Sequence, residues 1–334
     1  MNARSHGSAG LIQIAILPII LVALALVLAC GGRTVRAEAQ DPSRVDLSQV
    51  WQEPTDLPSR DLFAGPTAGS PEPDANVPFT FVEADRTGYS RGYDVRDASG
   101  MTWSVKLGPE AQTEVVSSRI LWAIGFHQVP TFYRATWSMT GGPGGTPGPA
   151  RFRPELPDRK AVGEWSWTKN EFAHTQPFKG LVVANLILNN WDWKASNNRI
   201  YEIAGPDGPK RQYVVRDLGA SLGKTSSPPP LRWLGSRIAQ GTRNDLADFE
   251  SQGFIKGVEN GRIEFDYNGI YKDVVKTVSV ADVVWTSRLL AQLTDEQWSD
   301  AFRAAGYAPA DIARYVAKLK AKVAEGLALA KDPS

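Results

Sequence analysis

The feature that most constrains the fold is a change of hydrophobic periodicity along the chain. Between residues 77 and 107 apolar and polar residues alternate in short runs, which is typical of strands. From residue 279 onward the apolar residues recur at helical spacing. Strands first and helices later indicate an α+β fold and not the alternating pattern of a parallel sheet.

Several elements follow from local signals. A helix is predicted to begin at Glu110, after Gly-Pro, and to end before Gly125. The almost wholly apolar residues 181–188 predict a buried helix. Residues 199–203 and 212–216 predict two strands, because a turn-forming Gly-Pro-Asp-Gly lies between them.

The N-terminus predicts export or membrane attachment. Residues 11–29 are almost wholly apolar and follow Arg4 and His6, as in an export signal or a membrane anchor. The segment ends in Val-Leu-Ala-Cys, which resembles a bacterial lipobox with Cys30 as the lipidated residue. Cleavage after the small-x-small residues 37–39 and an uncleaved single span are the alternatives. We expect a protein of the cell envelope, either membrane-anchored or secreted.

Cysteine content and charge exclude several classes of function. Cys30 is the only cysteine, so the sequence excludes a disulfide framework and a thiolate zinc cluster. The net charge of +1 gives no strong field of either sign. We therefore expect no nucleic-acid partner, and any phosphate binding must be local.

Composition divides the chain into four parts. Residues 1–30 form the export or anchor segment, and residues 31–76, rich in Pro, Gly, Ser, Asp and Glu, predict a flexible linker. Folded structure is expected from residue 77, in two parts of residues 77–160 and 161–334. A strand is predicted at residues 131–137, followed by a loop rich in Gly and Pro near the junction of the two parts.

A short polar motif carries the candidate chemistry. Asp192, Lys194 and Asn197 lie in Asn-Trp-Asp-Trp-Lys-Ala-Ser-Asn, and Asp217 follows in Asp-Leu-Gly. Two carboxylates, a cation and an amide are the groups that phosphoryl transfer requires. In isolation the first motif also fits a polar turn after a buried helix.

Two upstream residues support the chemical interpretation. Lys106 ends the third predicted strand, and Glu114 lies in the first turns of the following helix, where it can pair with Lys106. Glu110 is the alternative partner, and Glu114 is preferred because it lies deeper in the helix. A strand lysine, a helix glutamate, the polar loop and Asp-Leu-Gly then occur in the order of a kinase fold.

On these residues the chain resembles the protein kinase-like superfamily over roughly residues 77–225. It is most similar to the atypical branches, which include HipA-type bacterial kinases, phosphatidylinositol kinases and secretory-pathway kinases. The resemblance implies a two-lobed kinase-like fold, with residues 77–160 as a sheet-rich N-lobe with one helix and residues 161–334 as a mainly helical C-lobe. It also implies the following roles: phosphate binding by Lys106, orientation of Lys106 by Glu114, catalysis by Asp192, and metal binding by Asn197 and Asp217.

The sequence departs from conventional protein kinases at several points. Asn-Trp replaces His-Arg ahead of Asp192, and Asp-Leu-Gly replaces Asp-Phe-Gly. The loop expected to cover the nucleotide offers Gly88, Ser90 and Gly92 but not a full Gly-x-Gly-x-x-Gly. No Ala-Pro-Glu follows Asp217, so substrate docking is expected to differ.

The resemblance implies transfer of a phosphoryl group from ATP, with Mg²⁺ or Mn²⁺, to a hydroxyl of a protein, lipid or sugar. Asp192 would orient the hydroxyl, and Lys194 would balance the charge of the transferred group. Two alternatives stay open at this point. One is a catalytically inactive binding or scaffold lipoprotein, and the other is nucleotidyl transfer from the same cleft.

Overall fold

The computed structural model describes six stretches of the chain, namely residues 45–67, 69–85, 90–144, 147–206, 208–225 and 241–331. The expected export or anchor segment lies outside these residues. Among the helices of the described stretches, none combines the length and the apolar character needed to cross a membrane.

The first part of the fold is a six-stranded sheet. Its strands are β1 (Phe79–Asp85), β2 (Gly92–Arg96), β3 (Thr102–Leu107), β4 (Phe132–Arg134), β5 (Met139–Thr140) and β6 (Ala150–Pro154). They are ordered β4-β6-β3-β2-β1-β5, and all pairs are antiparallel except that the short β5 runs parallel to β1 at one edge.

The two faces of this sheet differ because side chains alternate along each strand. One face carries an aromatic core that includes Trp103 and Phe152. The opposite face carries Lys106 of β3 and Arg151, its direct cross-strand partner on β6. Helix α1 (Glu110–Ala123) packs against this charged face.

The second part is mainly helical. Its helices are α2 (Gln176–Ile187), α3 (Leu246–Ser251), α4 (Lys272–Val275), α5 (Val280–Leu290), α6 (Asp295–Arg303) and α7 (Pro309–Ala328). Its strands are β7 (Arg159–Gly163), β8 (Asn198–Ile203) and β9 (Lys210–Val215) in one antiparallel sheet, and β10 (Ile255–Glu259) with β11 (Arg262–Phe265) in another. Helices α5 and α6 begin with capping boxes at Ser279 and Thr294.

These elements confirm the predicted α+β class and its order. A curled, mainly antiparallel sheet with one helix comes first, and a helical part with a short strand hairpin follows, which is the two-lobed arrangement of a kinase-like fold. The predicted helix at residue 110, the apolar helix and the hairpin are all found, with ends shifted by a few residues.

Two expectations require correction. The linker predicted up to residue 76 is ordered from residue 45, because Val50, Leu57 and Leu62 are almost completely buried in the main core. Strand β4 is shorter than expected, and the Gly- and Pro-rich loop after it leads into strand β6, which the sequence analysis did not identify. Composition alone misjudged the linker because a few well-spaced apolar residues were enough to anchor it.

Candidate active site

The polar loop begins where helix α2 ends in a Schellman motif. Asn189 has a left-handed backbone with φ of 54°, and its N–H donates to the carbonyl of Leu186 at 3.1 Å. The N–H of Asn190 donates to the carbonyl of Asn185 at 2.9 Å. These two bonds end a helix and fix the direction of the departing chain. The Asn-Asn pair thus ends the helix and starts the polar loop.

Buried and partly exposed residues alternate along the loop. Trp191 and Trp193 are buried, and their indole N–H groups donate to the carbonyls of Thr242 and Asn190, each at 2.9 Å. Both rings pack in the main hydrophobic core. Asp192 between them is partly exposed, with its carboxylate 3.0 Å from the Lys194 ammonium.

The hairpin β8–β9 brings Asn197 next to Asp217. Asn198 pairs with Val215, so the residues just beyond this pair are neighbours at the same end of the hairpin. The backbone N–H of Asp217 donates to the carbonyl of Asn197 at 2.9 Å. The Asn197 amide also donates to the carbonyl of Asp192 at 2.6 Å. Asn197 therefore links the two acidic residues that the sequence analysis selected.

Lys106 lies at the centre of an acidic cluster. Its ammonium is 2.8 Å from the carboxylate of Asp217, 3.1 Å from that of Glu114 and 3.6 Å from that of Glu110. The strand lysine thus contacts the Asp-Leu-Gly aspartate 111 residues away. Both helix glutamates that were considered as partners contact it, with Glu114 closer, as preferred from the sequence.

Glu114 is buried and contacts three cationic side chains of this cluster. Only 1% of its side chain is exposed, and it pairs with Arg151 at 3.0 Å and with Arg153 as well as with Lys106. Burial alone would raise the pKa of Glu114, but Arg151, Lys106 and Arg153 together lower it below its ordinary value. The helix carboxylate therefore stays ionised and fixes the lysine.

Lys106 and Asp217 are also held in their charged forms by their neighbours. Burial alone would lower the pKa of Lys106, but the attraction of Asp217, Glu114 and Glu110 outweighs burial and raises it. For Asp217, burial would raise the pKa, whereas the contact with Lys106 and the N–H of Gly219 hold it well below its usual range. Lys106 and Asp217 are thus both charged at neutral pH.

Glu110 joins the helix to three other segments. Its carboxylate accepts from the Ser90 hydroxyl at 2.7 Å and pairs with Arg243. A Cβ added at Gly219 would lie 2.7 Å from the Cβ of Glu110, so the Asp-Leu-Gly glycine permits this close approach. Glu110 therefore has a structural role here beyond favouring the start of helix α1.

The loop expected to cover the nucleotide is described only in part. Gly88 lies outside the described residues. Ser90 and Gly92 are described, and Gly92 is the direct cross-strand partner of Lys106 on β2. A side chain at Gly92 would meet the backbone carbonyl of Val105 at 3.1 Å. Gly92 thus lies beside the lysine, and Ser90 contacts Glu110, while the covering of a nucleotide by this loop stays a prediction.

Three functional neighbours were missed by sequence reasoning. Arg151 and Arg153 on β6 both contact Glu114, and Arg243 contacts Glu110. The run Ala-Arg-Phe-Arg-Pro at residues 150–154 has the period-two alternation of a strand, which would have identified the first two. No local signal in the sequence connects Arg243 with helix α1.

The donor atoms suit a hard cation such as Mg²⁺ when phosphates are also present. Asp217 supplies a carboxylate and Asn197 an amide oxygen, and Mg²⁺ is commonly held by one or two carboxylates together with substrate phosphates. Among the described residues there is no group of three or more His, Cys, Asp or Glu that would form an all-protein site. The residues present fit a metal that the nucleotide helps to bind.

A cavity of about 570 Å³ adjoins this cluster, between strands β3 and β6 and the sheet of β7 and β8. Its walls include Ser104, two residues before Lys106, and Arg216, directly before Asp217. This volume lies in the range of small-molecule sites. The cavity beside the charged cluster is therefore large enough for a nucleoside.

Comparison with solved structures gives a similarity of fold at low sequence identity. Among solved structures, the crystal structure of the proinflammatory kinase CtkA of Helicobacter pylori is similar, with a TM-score of 0.45 and 11% sequence identity over 77% of this chain and 97% of that chain. No protein-family model and no curated protein matches the sequence.

Proposed function

We propose that the chain is a phosphotransferase of the atypical kinase type. It would transfer the terminal phosphoryl group of a nucleoside triphosphate, ATP in the sequence-based expectation, to a hydroxyl of a protein, lipid or sugar. The observation that carries this proposal is the contact of Lys106 with both Glu114 and Asp217, which joins the strand, the helix and the Asp-Leu-Gly segment at one point.

The arrangement supports distinct roles for the residues. Lys106, oriented by Glu114, would hold the phosphates of the donor. Asp192 lies on an anchored loop and is partly exposed, so its carboxylate can accept a hydrogen bond from an incoming hydroxyl and take up its proton. Lys194 is beside Asp192 and would balance the charge of the group in transfer.

Asn197 and Asp217 would hold Mg²⁺ or Mn²⁺. A bound metal ion would neutralise charge on the phosphates. Asp217 is kept ionised by Lys106 and by the backbone of Gly219, so its carboxylate is available as a metal ligand at neutral pH. Asn197 is held beside it by the hairpin backbone.

We also propose that the protein is exported and attached to the cell envelope by its N-terminal segment, as a lipoprotein through Cys30 or by another form of anchor. The apolar residues 11–29 and the lipobox-like end of this segment support the proposal. Cell fractionation combined with mass spectrometry of the mature N-terminus tests it, and a cytoplasmic protein with an intact Met1 would contradict it.

Thermal unfolding with and without millimolar nucleotide and Mn²⁺ tests the enzyme proposal. A ligand that binds only the folded state stabilises it by mass action, by about 2.7 kcal/mol at a concentration one hundred times Kd. We expect a clear rise in Tm with nucleotide and metal. The absence of any shift would refute the proposal, and binding without transfer to any acceptor would favour the scaffold alternative.

Two variants separate binding from chemistry. Asp217→Asn is expected to lose the metal-dependent part of nucleotide binding. Asp192→Asn is expected to keep binding and to lose transfer by about a hundredfold or more, as expected for a catalytic base. Asp273→Asn is a matched control, because the Asp273 side chain is 97% exposed. Transfer by Asp192→Asn at the wild-type rate would remove Asp192 from the mechanism.

A further inference from the structure

The cavity beside the charged cluster has a strong excess of hydrogen-bond donors. Five cationic side chains line it and only one acidic side chain does, that of Glu155. The cationic residues are Arg153, Arg159, Lys160, Arg199 and Arg216. The cavity therefore favours a ligand that presents hydrogen-bond acceptors over most of its surface and donors at one place.

Two of these guanidinium groups have donors without acceptors. Arg153 is 5% exposed, and only its Nη2 is used, by Glu114 and by the carbonyl of Arg216. Its buried Nε has no hydrogen-bond partner. Arg216 forms no hydrogen bond or ion pair through its side chain within the described part of the chain. The Nε of Arg153 is fully buried and out of reach of a ligand. Arg216 is partly exposed and lines the cavity, so its guanidinium donors are available to a bound ligand.

The cavity lies where the base of a nucleotide would be expected if its phosphates were bound at Lys106. Ser104 lines the cavity, whereas Lys106, one step further on the same face of strand β3, contacts Asp217 outside it. Arg216 lines the cavity, and the next residue, Asp217, is the proposed metal ligand. A nucleotide with its phosphates at Lys106 would therefore place its base in this cavity.

The chemistry of the cavity matches guanine better than adenine. Guanine presents O6 and N7 as adjacent acceptors, and arginine is their commonest specific partner. Its N1–H and 2-amino group are donors that a carboxylate such as Glu155 can accept together. Adenine would instead direct its 6-amino donors toward guanidinium donors, which leaves polar groups unpaired.

We propose that this cavity recognises guanine and that GTP is the preferred phosphoryl donor. This inference rests on the proposed function, since it concerns the donor of the same reaction. The bond between the γ-phosphorus and its bridging oxygen breaks, a bond forms between that phosphorus and the acceptor hydroxyl oxygen, the hydroxyl proton passes to Asp192, and GDP leaves.

Calorimetric titration of the wild-type protein with GTP, ITP, ATP and inorganic triphosphate, each with Mg²⁺, tests the base preference. ITP lacks the 2-amino group and so isolates the contribution of the acidic residue. We expect GTP to bind about tenfold or more tightly than ATP, the discrimination that one bidentate base contact typically supplies, with ITP between them. Equal binding of ATP, or of inorganic triphosphate alone, would overturn the inference.

Variants locate the recognition. Arg216→Gln and Glu155→Gln are expected to weaken GTP binding about tenfold and to leave ATP binding nearly unchanged. Glu296→Gln, an exposed residue of helix α6, is the matched control. If both variants leave the ratio of GTP to ATP affinity unchanged, the assignment of these residues is wrong. If no nucleotide binds the wild type, the proposed function fails with the inference, whereas a preference for ATP overturns the inference alone.

Discussion

Replacing Glu114 with glutamine would remove one charge from a buried cluster while keeping the shape of the side chain. Three cations surround this carboxylate: Lys106 at 3.1 Å, Arg151 at 3.0 Å and Arg153. In the variant they would lose their common counter-charge inside the protein. Removing one partner of a buried ion pair is strongly destabilising because the remaining charge is left uncompensated.

The contacts that remain set the expected size of the effect. Lys106 keeps its contact with Asp217, Arg151 keeps a hydrogen bond to the carbonyl of Ser104 at 2.7 Å, and Arg153 keeps one to a carbonyl at 2.8 Å. We therefore expect the lower end of the usual range, a loss of about 3 kcal/mol in the free energy of unfolding. For a domain of this size the loss corresponds to a fall in Tm of roughly 6–12 °C.

Urea and thermal unfolding of both proteins at pH 7 would measure this loss. Glu202→Gln is the control, because Glu202 pairs with Arg211 at 3.5 Å on the surface, and it is expected to change little. The pKa of Glu114 is lowered from the ordinary value of 4.5 by folding. Its contribution is therefore complete above that pH and is lost as the pH falls through the folded-state pKa. A loss below about 1 kcal/mol at pH 7, or a difference that grows toward acid pH, would refute this reasoning.

The remaining predictions concern packing, burial and domain limits. Gly219→Ala should destabilise the protein by about 1–3 kcal/mol, because the new methyl group would overlap Glu110, and the unobstructed Gly257→Ala is its control in the same urea titration. Burial holds the pKa of Lys322 well below its ordinary value. At a pH between the pKa of Lys322 in the folded protein and its pKa in the unfolded chain, the unfolded chain therefore binds more protons than the folded protein. Stability measured by urea unfolding should therefore rise with pH in that window, and Lys322→Met should remove the rise. Deleting residues 1–76 should lower Tm strongly relative to deleting residues 1–44, because residues 45–76 contribute to the core. Equal Tm values would contradict this.

Some site residues could be predicted from the sequence and others could not. The order of Lys106, Glu114 and Asp217 identified the charged cluster, because each residue type has a distinct chemical role and a distinct element. The spacing from Asp192 to Asn197 indicated the loop. Arg151 was not identified, although apolar and charged residues alternate along its strand. The Gly- and Pro-rich segment before the strand suggested that the loop extended through these residues as well.

The donor-rich cavity was not predictable from sequence. Its walls come from strands β3 and β6, from the hairpin β8–β9 and from the connection between β6 and β7. Glu155 and Arg216 are 61 residues apart, and neither belongs to a recognisable motif. Only the folding of the sheets against each other brings their charges to one space.

The sequence by itself determined the α+β class and the order of the elements. These follow from local periodicity, caps and turn residues, which act over a few positions. The sequence also indicated Lys106, Glu114 and Asp217 as candidate site residues, but not the arginines that pair with the two glutamates. The tertiary structure decided which charges share a cluster, that Glu110 and Glu114 both contact Lys106, and that residues 45–76 belong to the core. Such contacts join residues distant in sequence, so they depend on packing and burial, which no local pattern specifies.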